Sequence, residues 1–261
     1  MIFLSKKGID RTMNEFAAGC SAKPVNTDDF VYESSDDPIF LRGVTKYKIM
    51  QRCLADGRDF YYVDTGYIGN ERSPNKSWHR IVKNNLQHSE LETFPDDRFQ
   101  RVGVSLIERK KNGKNIVVAV PTKKPCRYYG VDVEQWLKET VAQIKRHTDR
   151  PIVIRRKPKT RAERVLQDPL AKHLNDAWAL VTYNSISAVE SVFSGVPAFA
   201  LAPVNAADPV VSKDLSQLDD PFWPDDDLRY QWACSLAYGQ YHIDELRSGQ
   251  ALRMLKERYG N

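Results

Sequence analysis

The chain of 261 residues lacks several motifs that would assign a common function. It has no GxxxxGK[ST] loop, no GxGxxG, no GxSxG and no HExxH. Each of these motifs supplies a phosphate-binding loop, a nucleophile or a pair of metal ligands that its chemistry requires. Their absence disfavours an NTPase, a dinucleotide-dependent dehydrogenase, a hydrolase with a nucleophile elbow and a zinc protease.

Cysteines are few and hydrophobic runs are short. The four cysteines, Cys20, Cys53, Cys126 and Cys234, have no CxxC spacing, which indicates buried reduced thiols rather than a zinc site or a disulfide framework. No apolar run approaches the roughly 20 residues that span a bilayer, and Met1–Leu4 is too short for a signal peptide. We therefore expect a soluble, cytoplasmic protein without a membrane partner.

The net charge of +5 is modest, but the charges are unevenly distributed. Basic residues concentrate in segments 109–127 and 145–164, whereas acidic residues concentrate in segments 28–37 and 219–227. A positive surface of this kind is typical of proteins that bind phosphates, either on a nucleotide or on a nucleic acid. The charge distribution does not distinguish between a nucleotide and a nucleic acid as the partner.

Strand and helix patterns alternate along the chain as in a parallel, doubly wound α/β sheet. The predicted strands are Met1–Leu4, Phe60–Val63, Ile81–Val82, Val102–Leu106, Asn115–Val120, Pro151–Ile154 and Ala177–Val181. The predicted helices are Arg11–Gly19, Thr45–Ala55, Val133–His147, Ala162–Leu166, Leu228–Gly239 and Ile243–Arg258, and Leu170–Asn175 is a further short segment. A turn signal at Asn112-Gly113 separates two halves.

The most informative segment, Ala177–Leu201, is predicted to form a strand, a polar turn, a helix that ends at Gly195 and a second strand. Asn184 and Ser185 are expected to cap the helix. A helix that starts at the carboxyl end of a parallel strand favours a phosphate, and Glu190 lies where its carboxylate can accept hydrogen bonds from ribose hydroxyls. The alternative is an ordinary capped unit that binds nothing.

Two other strand ends are expected at the same edge of a parallel sheet. Thr122 follows the first strand of the second half, and Arg155 and Arg156 follow the second strand. Guanidinium groups make bidentate contacts with phosphate oxygens, so these arginines are candidates for binding a diphosphate. One of the two is expected to face solvent.

The stretch Thr182–Glu190 followed by Ser194–Pro197 resembles the nucleotide-sugar-binding element of GT-B glycosyltransferases. Three further stretches resemble recurring segments of small phage-encoded glycosyltransferases: Asp59–Gly69, Trp78–Asn84 and Leu236–Gly249. The resemblance runs in pieces from Arg42 to Ala251. It implies that Thr182, Asn184 and Ser185 hold the donor diphosphate and that Glu190 holds the ribose.

The same resemblance implies an α/β, GT-B-like fold with two Rossmann-like halves and a cleft between them. The expected domains are an N-terminal acceptor-side domain at 1–112 and a nucleotide-sugar-binding domain at 113–235. Residues 236–261 are expected to form a C-terminal helix that packs back on the first domain. The implied activity is metal-independent transfer from a nucleoside-diphosphate sugar, a UDP-sugar by expectation, without a cofactor.

Acceptor-side residues are expected at strand ends of the first half. Asp64 follows a buried strand and is the candidate general base, although it also fits an aspartate that stabilises the turn before Gly66. His79 and Arg80 form a second candidate site, in which Arg80 would hold an acceptor phosphate and His79 is structural in the alternative interpretation. Gly66 and Tyr67 complete the acceptor-binding prediction.

The predicted acceptor is a 5-hydroxymethylpyrimidine in double-stranded phage DNA, modified in the host cytoplasm. The basic segments would contact the backbone, and Tyr67 or Trp78 would stack on a flipped base. The alternatives are surface-polysaccharide synthesis and a non-catalytic α/β protein that binds nucleotide or nucleic acid. A sugar-nucleotide epimerase is disfavoured by the short chain.

Overall fold

The computed structural model describes residues 1–70, 77–158 and 168–260. The strands are β1 Ile2–Ser5, β2 Val25–Asn26, β3 Ile39–Arg42, β4 Phe60–Thr65, β5 Trp78–Lys83, β6 Asn115–Val120, β7 Ile152–Arg156, β8 Ala177–Thr182, β9 Ala198–Ala200 and β10 Gln240–His242. The helices are α1 Arg11–Gly19, α2 Tyr47–Ala55, α3 Asp97–Val102, α4 Lys123–Tyr128, α5 Val133–His147, α6 Leu170–Asn175, α7 Ser187–Phe193, α8 Asp226–Tyr238, α9 Ile243–Arg247 and α10 Gln250–Tyr259.

The chain forms two units. Unit 1 contains Met1–Leu86, Arg98–Val102 and the segment from Leu236 onwards, and unit 2 contains Gln87–Asp97 and Gly103–Ser235. Unit 2 already begins at Gln87, and residues Arg98–Val102 of α3 return briefly to unit 1. The division therefore does not coincide with the expected boundary between residues 112 and 113.

Unit 1 is built on a six-stranded sheet with the order β10-β5-β4-β3-β1-β2. Strands β1 to β4 run parallel to one another, while β5 is antiparallel to both β4 and β10. Aromatic side chains bind the sheet to α1, since Phe40 stacks between Phe3 and Tyr61 at centroid distances of 4.6 and 4.5 Å and also contacts Phe16. Such pairs add to the apolar area they bury.

The C-terminal segment completes unit 1. Strand β10 joins the sheet edge, and Leu246 and Leu255 enter the same core as Phe16. Helix α1 approaches α9 so closely that a Cβ on Gly19 would lie 2.0 Å from the Leu246 carbonyl oxygen, so only glycine fits there. The predicted return of the C-terminal helices to the first half is confirmed.

Unit 2 contains a four-stranded sheet in which all neighbours are parallel, with the order β7-β6-β8-β9. Trp136, Leu137 and Ile144 of α5 cover one face, packing with Val118 and Val181. Helix α5 starts at Asp132, whose carboxylate accepts hydrogen bonds from the second and third backbone N–H groups of the helix. The two parallel-sheet regions confirm the predicted two-part Rossmann-like architecture.

Some predicted elements differ from the structure. The strand expected at Val102–Leu106 is wrong, because Arg98, Phe99 and Val102 are buried at helical spacing and belong to α3. The single helix expected from Ile243 is two helices, since Gly249 has a φ of 71° and ends the helical path. The predicted helix Ala162–Leu166 lies outside the described residues, as do the basic residues Lys159, Arg161 and Arg164. None of the helices in the described ranges is long and apolar enough to cross a membrane.

Candidate functional site

The carboxyl ends of β6, β7, β8 and β9 lie at one edge of the unit 2 sheet because these strands are parallel. Arg155, Ala119 and Thr182 are paired across β7, β6 and β8, so their side chains project from the same face. Open α/β sheets bind ligands at this edge. The predicted donor residues are therefore assembled here, with individual exceptions.

The turn after β8 is held by Ser185. Its hydroxyl oxygen accepts a hydrogen bond from Ser187 N–H at 3.2 Å, and its carbonyl oxygen accepts one from Ala188 N–H at 3.3 Å. Ser185 therefore holds the turn, but it is not the capping residue that was predicted, because Ile186 directly precedes α7 and no side chain caps the helix. Asn184 does not cap, and α7 has only seven residues, so side chains rather than helix N–H groups define the chemistry of this edge.

Three polar atoms at this edge are buried without a hydrogen-bond partner in the part of the chain that the structure describes. They are Asn184 Oδ1, Ser187 Oγ and Arg155 Nε. Asn184 is only 5% exposed. A buried polar group without a partner costs about 1–3 kcal/mol, and such groups are rare in native proteins. A cluster of three marks a place where a ligand or bound water completes the hydrogen bonding.

The two adjacent arginines of β7 point to opposite faces. Arg156 reaches Glu134 on α5, with two N···O distances of 2.8 and 2.7 Å, and this pair lowers the pKa of Glu134. Burial lowers the pKa of Arg155, while the charge of the nearby Glu190 carboxylate acts to raise it. The structure thus joins Arg155 and Glu190 at the candidate site and places Arg156 on the α5 face.

The two threonines proposed from sequence have different environments. Thr182 is fully buried, and its hydroxyl donates a hydrogen bond of 2.8 Å to the Ala119 carbonyl oxygen. It therefore ties β8 to β6 and is not placed to contact a diphosphate. Thr122 is exposed at the start of α4, and its side chain makes no capping hydrogen bond. Of these two threonines, only Thr122 has an exposed side chain at the carboxyl edge of the sheet.

Gln87 and Asn205 support the turn, and sequence reasoning missed both. Gln87 Nε2 donates to the Asn184 carbonyl at 2.6 Å, and its Oε1 accepts from Ala206 N–H at 3.0 Å. Asn205 Nδ2 donates to the Ser185 carbonyl at 3.3 Å. No local pattern signals these contacts, because Gln87 is 97 residues from Asn184 in sequence.

Asp208 adds a carboxylate beside this turn. Its Oδ2 accepts hydrogen bonds from Asn205 N–H at 2.9 Å and from Lys213 Nζ at 3.2 Å. Its Oδ1 is buried and has no partner in the described ranges. Burial raises the pKa of Asp208, against the opposing effects of those two contacts.

In unit 1, Asp64 is a partly exposed carboxylate, with 35% of its side chain accessible, in contact with the buried Tyr62 and Arg80. Its carboxylate accepts hydrogen bonds from the Tyr62 hydroxyl at 2.5 Å, Thr65 N–H at 2.8 Å and Arg80 Nη2 at 3.2 Å. Burial acts to raise the pKa of Asp64, but Arg80 and these hydrogen bonds outweigh it, and the pKa is lowered. Asp64 is consequently ionised at neutral pH and is a weak base.

The Arg80 guanidinium is buried and committed to protein groups. Besides Asp64, it donates to the carbonyl oxygens of Thr65 at 2.8 Å and Leu86 at 3.3 Å. The aromatic rings of Tyr62 and Tyr67 flank it at 5.5 and 5.4 Å. The predicted role of Arg80 in holding an acceptor phosphate is not supported, because the side chain is buried and each of its three nitrogens already donates to a protein acceptor.

The segment around Gly66 is a packed turn rather than an open surface. Tyr67 is 1% exposed and Trp78 is 7% exposed, so neither can stack on a flipped base, which corrects that expectation. Gln240 Oε1 accepts hydrogen bonds from the backbone N–H groups of Tyr67 and Ile68. A Cβ on Gly66 would lie 2.8 Å from this oxygen, so a larger residue would require the Gln240 side chain to shift.

His79 is 4% exposed, and its Nδ1 is buried without a hydrogen-bond partner among the described residues. Burial lowers the pKa of His79 to about 4, with a further contribution from Arg42. The imidazole is therefore neutral at pH 7. Across residues 1–70, 77–158 and 168–260 no group of three or more His, Cys, Asp or Glu is placed to hold a metal ion.

Two α/β units, one with an all-parallel sheet and the other with returning C-terminal helices, define a GT-B-like fold. No protein-family model and no curated protein sequence matches the chain. Among solved structures, the chain is similar to the Thermosulfurimonas dismutans KpsC β-Kdo 2,4 transferase, with 9% identity, a TM-score of 0.50 and coverage of 95% of this chain and 98% of that one. It is also similar to the KpsC β-Kdo 2,7 transferase of the same organism, with 11% identity, a TM-score of 0.51 and coverage of 96% and 100%. At such identities the similarity shows the fold.

Proposed function

We propose that the protein is a glycosyltransferase that moves a sugar from a nucleoside-diphosphate sugar to a hydroxyl acceptor. The observation that carries this proposal is the group of unpartnered buried atoms on Asn184, Ser187 and Arg155 at the carboxyl edge of the unit 2 sheet. The fold shared with two sugar transferases supports the same class of reaction.

In this proposal each residue of the edge has a distinct role toward the donor. Arg155 contributes positive charge to the diphosphate, and Asn184 and Ser187 supply further hydrogen bonds. Glu190 accepts hydrogen bonds from ribose hydroxyls, and Ser185 shapes the turn. Uridine diphosphate is the expected nucleotide.

During transfer, the bond between the anomeric carbon and the diphosphate oxygen breaks and a bond to the acceptor oxygen forms. The acceptor hydroxyl loses its proton, and negative charge develops on the leaving diphosphate. Arg155 is suited to stabilise that charge, and we propose that this happens without a metal ion. Asp64 remains the proposed acceptor of the proton, although its lowered pKa makes it a weak base.

A second, more specific proposal is that the hydroxyl acceptor lies on DNA. Lys123, Lys124 and Arg127 are exposed on α4, which favours a polyanionic partner. Hydroxymethylated and unmodified duplexes, incubated with the protein and a panel of nucleotide sugars, would be digested to nucleosides for mass analysis. A glycosylated nucleoside would support DNA modification. Transfer only to a soluble saccharide would assign the protein to saccharide synthesis.

The enzymatic proposal itself is tested by donor turnover. The panel of nucleotide sugars is offered with and without acceptors, and release of nucleotide and sugar is followed by chromatography. A non-catalytic nucleotide-binding protein would bind UDP but release no sugar from any donor. That result would contradict the proposed transferase activity.

A further inference from the structure

Strand register places Arg42 and His79 on one face of the unit 1 sheet. Arg42 pairs with Val63, Val63 pairs with Ile81, and Thr65 pairs with His79. Paired residues and alternate residues of a strand share a face. Val63 and Ile81 pack in the core with Phe16, so this is the face that α1 covers. Asp64 and Arg80 project from the opposite face.

Both side chains carry a nitrogen whose hydrogen bonding is incomplete. Arg42 Nε and His79 Nδ1 are buried and have no partner in the described part of the chain. Arg42 Nη1 contacts both carboxylate oxygens of Asp10 at 3.1 Å, so the charge of Arg42 is already compensated. The Arg42 side chain is nevertheless 31% exposed, so part of it reaches the protein surface.

The two nitrogens complement hydroxyl groups. Arg42 Nε–H is a donor, and a neutral imidazole offers one nitrogen lone pair. A hydroxyl can accept a hydrogen bond from the first or donate one to the second, so a ligand with adjacent hydroxyl groups can satisfy both. An anion would satisfy only Arg42 and would be repelled by Asp10 and Asp64.

The surroundings keep His79 in the form that this contact needs. Burial and Arg42 lower its pKa to about 4, with a smaller lowering by His242, and these effects outweigh Asp64 and Asp10, which act to raise it. Asp10 and Thr65 flank the pair and can bind neighbouring hydroxyls. Several adjacent hydroxyl groups are a property of saccharides.

We propose that Arg42 and His79 bind adjacent hydroxyl groups of a saccharide acceptor at the edge of the unit 1 sheet where β3 and β4 end and β5 begins. Calling this saccharide the acceptor rests on the proposed transferase function, whereas the binding site itself does not. In this proposal the site replaces Arg80, whose three nitrogens each donate to a protein acceptor, as the polar group that binds the acceptor.

The test uses the full chain with ¹⁵N-labelled histidine and four methyl glycosides, those of glucose, galactose, mannose and N-acetylglucosamine. At least one glycoside is expected to shift the His79 Nδ1 resonance in the unmodified protein. Its affinity should fall about tenfold or more in Arg42→Met and His79→Phe, because one hydrogen bond is lost in each. His79→Asn should restore much of the affinity, since its amide oxygen can replace Nδ1. His147→Phe, at the exposed end of α5, is the matched control.

If no glycoside shifts the His79 resonance up to its solubility limit, the nitrogens are satisfied by water alone and the proposal is overturned. Unchanged glycoside affinity in both folded variants would overturn it equally. 5-Hydroxymethyl-2′-deoxycytidine is titrated as a fifth ligand, and a shift caused by this nucleoside alone would also overturn the proposal. Donor hydrolysis is measured in parallel, because glycoside binding without any donor turnover would contradict the transferase function and leave the site intact.

Discussion

Arg155 and Arg156 offer a matched pair of substitutions that tests the donor site. Each arginine is replaced by methionine, which keeps the length of the side chain and removes the charge. Arg155 has a buried Nε without a partner and lies near Glu190, whereas Arg156 is paired with Glu134 on the α5 face. The two variants therefore remove the same charge from opposite faces of one strand.

The expected magnitudes differ between the variants. A hydrogen bond from a charged group contributes about 1.5–3 kcal/mol, so Arg155→Met should weaken UDP binding roughly 10- to 150-fold. The same change removes an unsatisfied buried N–H, so the stability of the free protein should be unchanged or increased. Arg156→Met should leave UDP affinity unchanged and have a small effect on stability, because its ion pair is exposed.

Calorimetric titration with UDP and thermal melting of both variants provide the measurement. Charge loss alone would lower affinity equally in the two variants, so Arg156→Met controls for general electrostatics. Equal UDP affinity in Arg155→Met and the unmodified protein would refute the reasoning that assigns the unpartnered atoms to the donor.

Three further predictions concern single residues. Asp64→Asn should lower turnover about 10²–10⁴-fold with little change in UDP affinity. Because the pKa of Asp64 is lowered, turnover of the unmodified protein should show no Asp64 titration between about pH 7 and 5. Near-normal turnover of the variant in a kinetic assay would make Asp64 a residue that only stabilises the turn. Glu245→Ala should destabilise unit 1 by about 3–5 kcal/mol in denaturant unfolding, because it leaves the buried Arg98 without its carboxylate, whereas an unchanged midpoint would contradict this role. Gly195→Ala should destabilise unit 2 by about 1–3 kcal/mol or more, since Gly195 has a φ of 78° and a Cβ would lie 2.1 Å from the Glu108 carbonyl oxygen; a melting temperature equal to that of the unmodified protein would show that the loop adapts.

The pH dependence of the stability that the Arg98–Glu245 pair contributes follows from the direction of the Glu245 pKa shift. Burial acts to raise the pKa of Glu245, but hydrogen bonds and charge from Arg98 lower it overall. A lowered folded-state pKa means that the contribution to stability is present above the ordinary carboxyl pKa of about 4.3 and is lost as the pH falls through the folded value.

The sequence by itself determined the elements whose causes are local. Helix α5 has its predicted bounds because Asp132 caps its start and apolar residues recur at helical spacing. Helix α7 ends where expected because Gly195 takes a positive φ. The edge of the unit 2 sheet was predictable for the same reason, since parallel strands end together and polar residues follow them.

Only the tertiary structure decided which of those polar side chains are available. Thr182 and Asn184 are two residues apart, yet the hydroxyl of Thr182 is bonded to Ala119 while the amide oxygen of Asn184 has no partner in the described ranges. Gln87 and Arg42 could not be found from sequence, because their contacts depend on residues far away in the chain or on strand register. Burial and hydrogen bonding are properties of such long-range pairing, and they determine which charged groups of this protein remain free to bind a ligand.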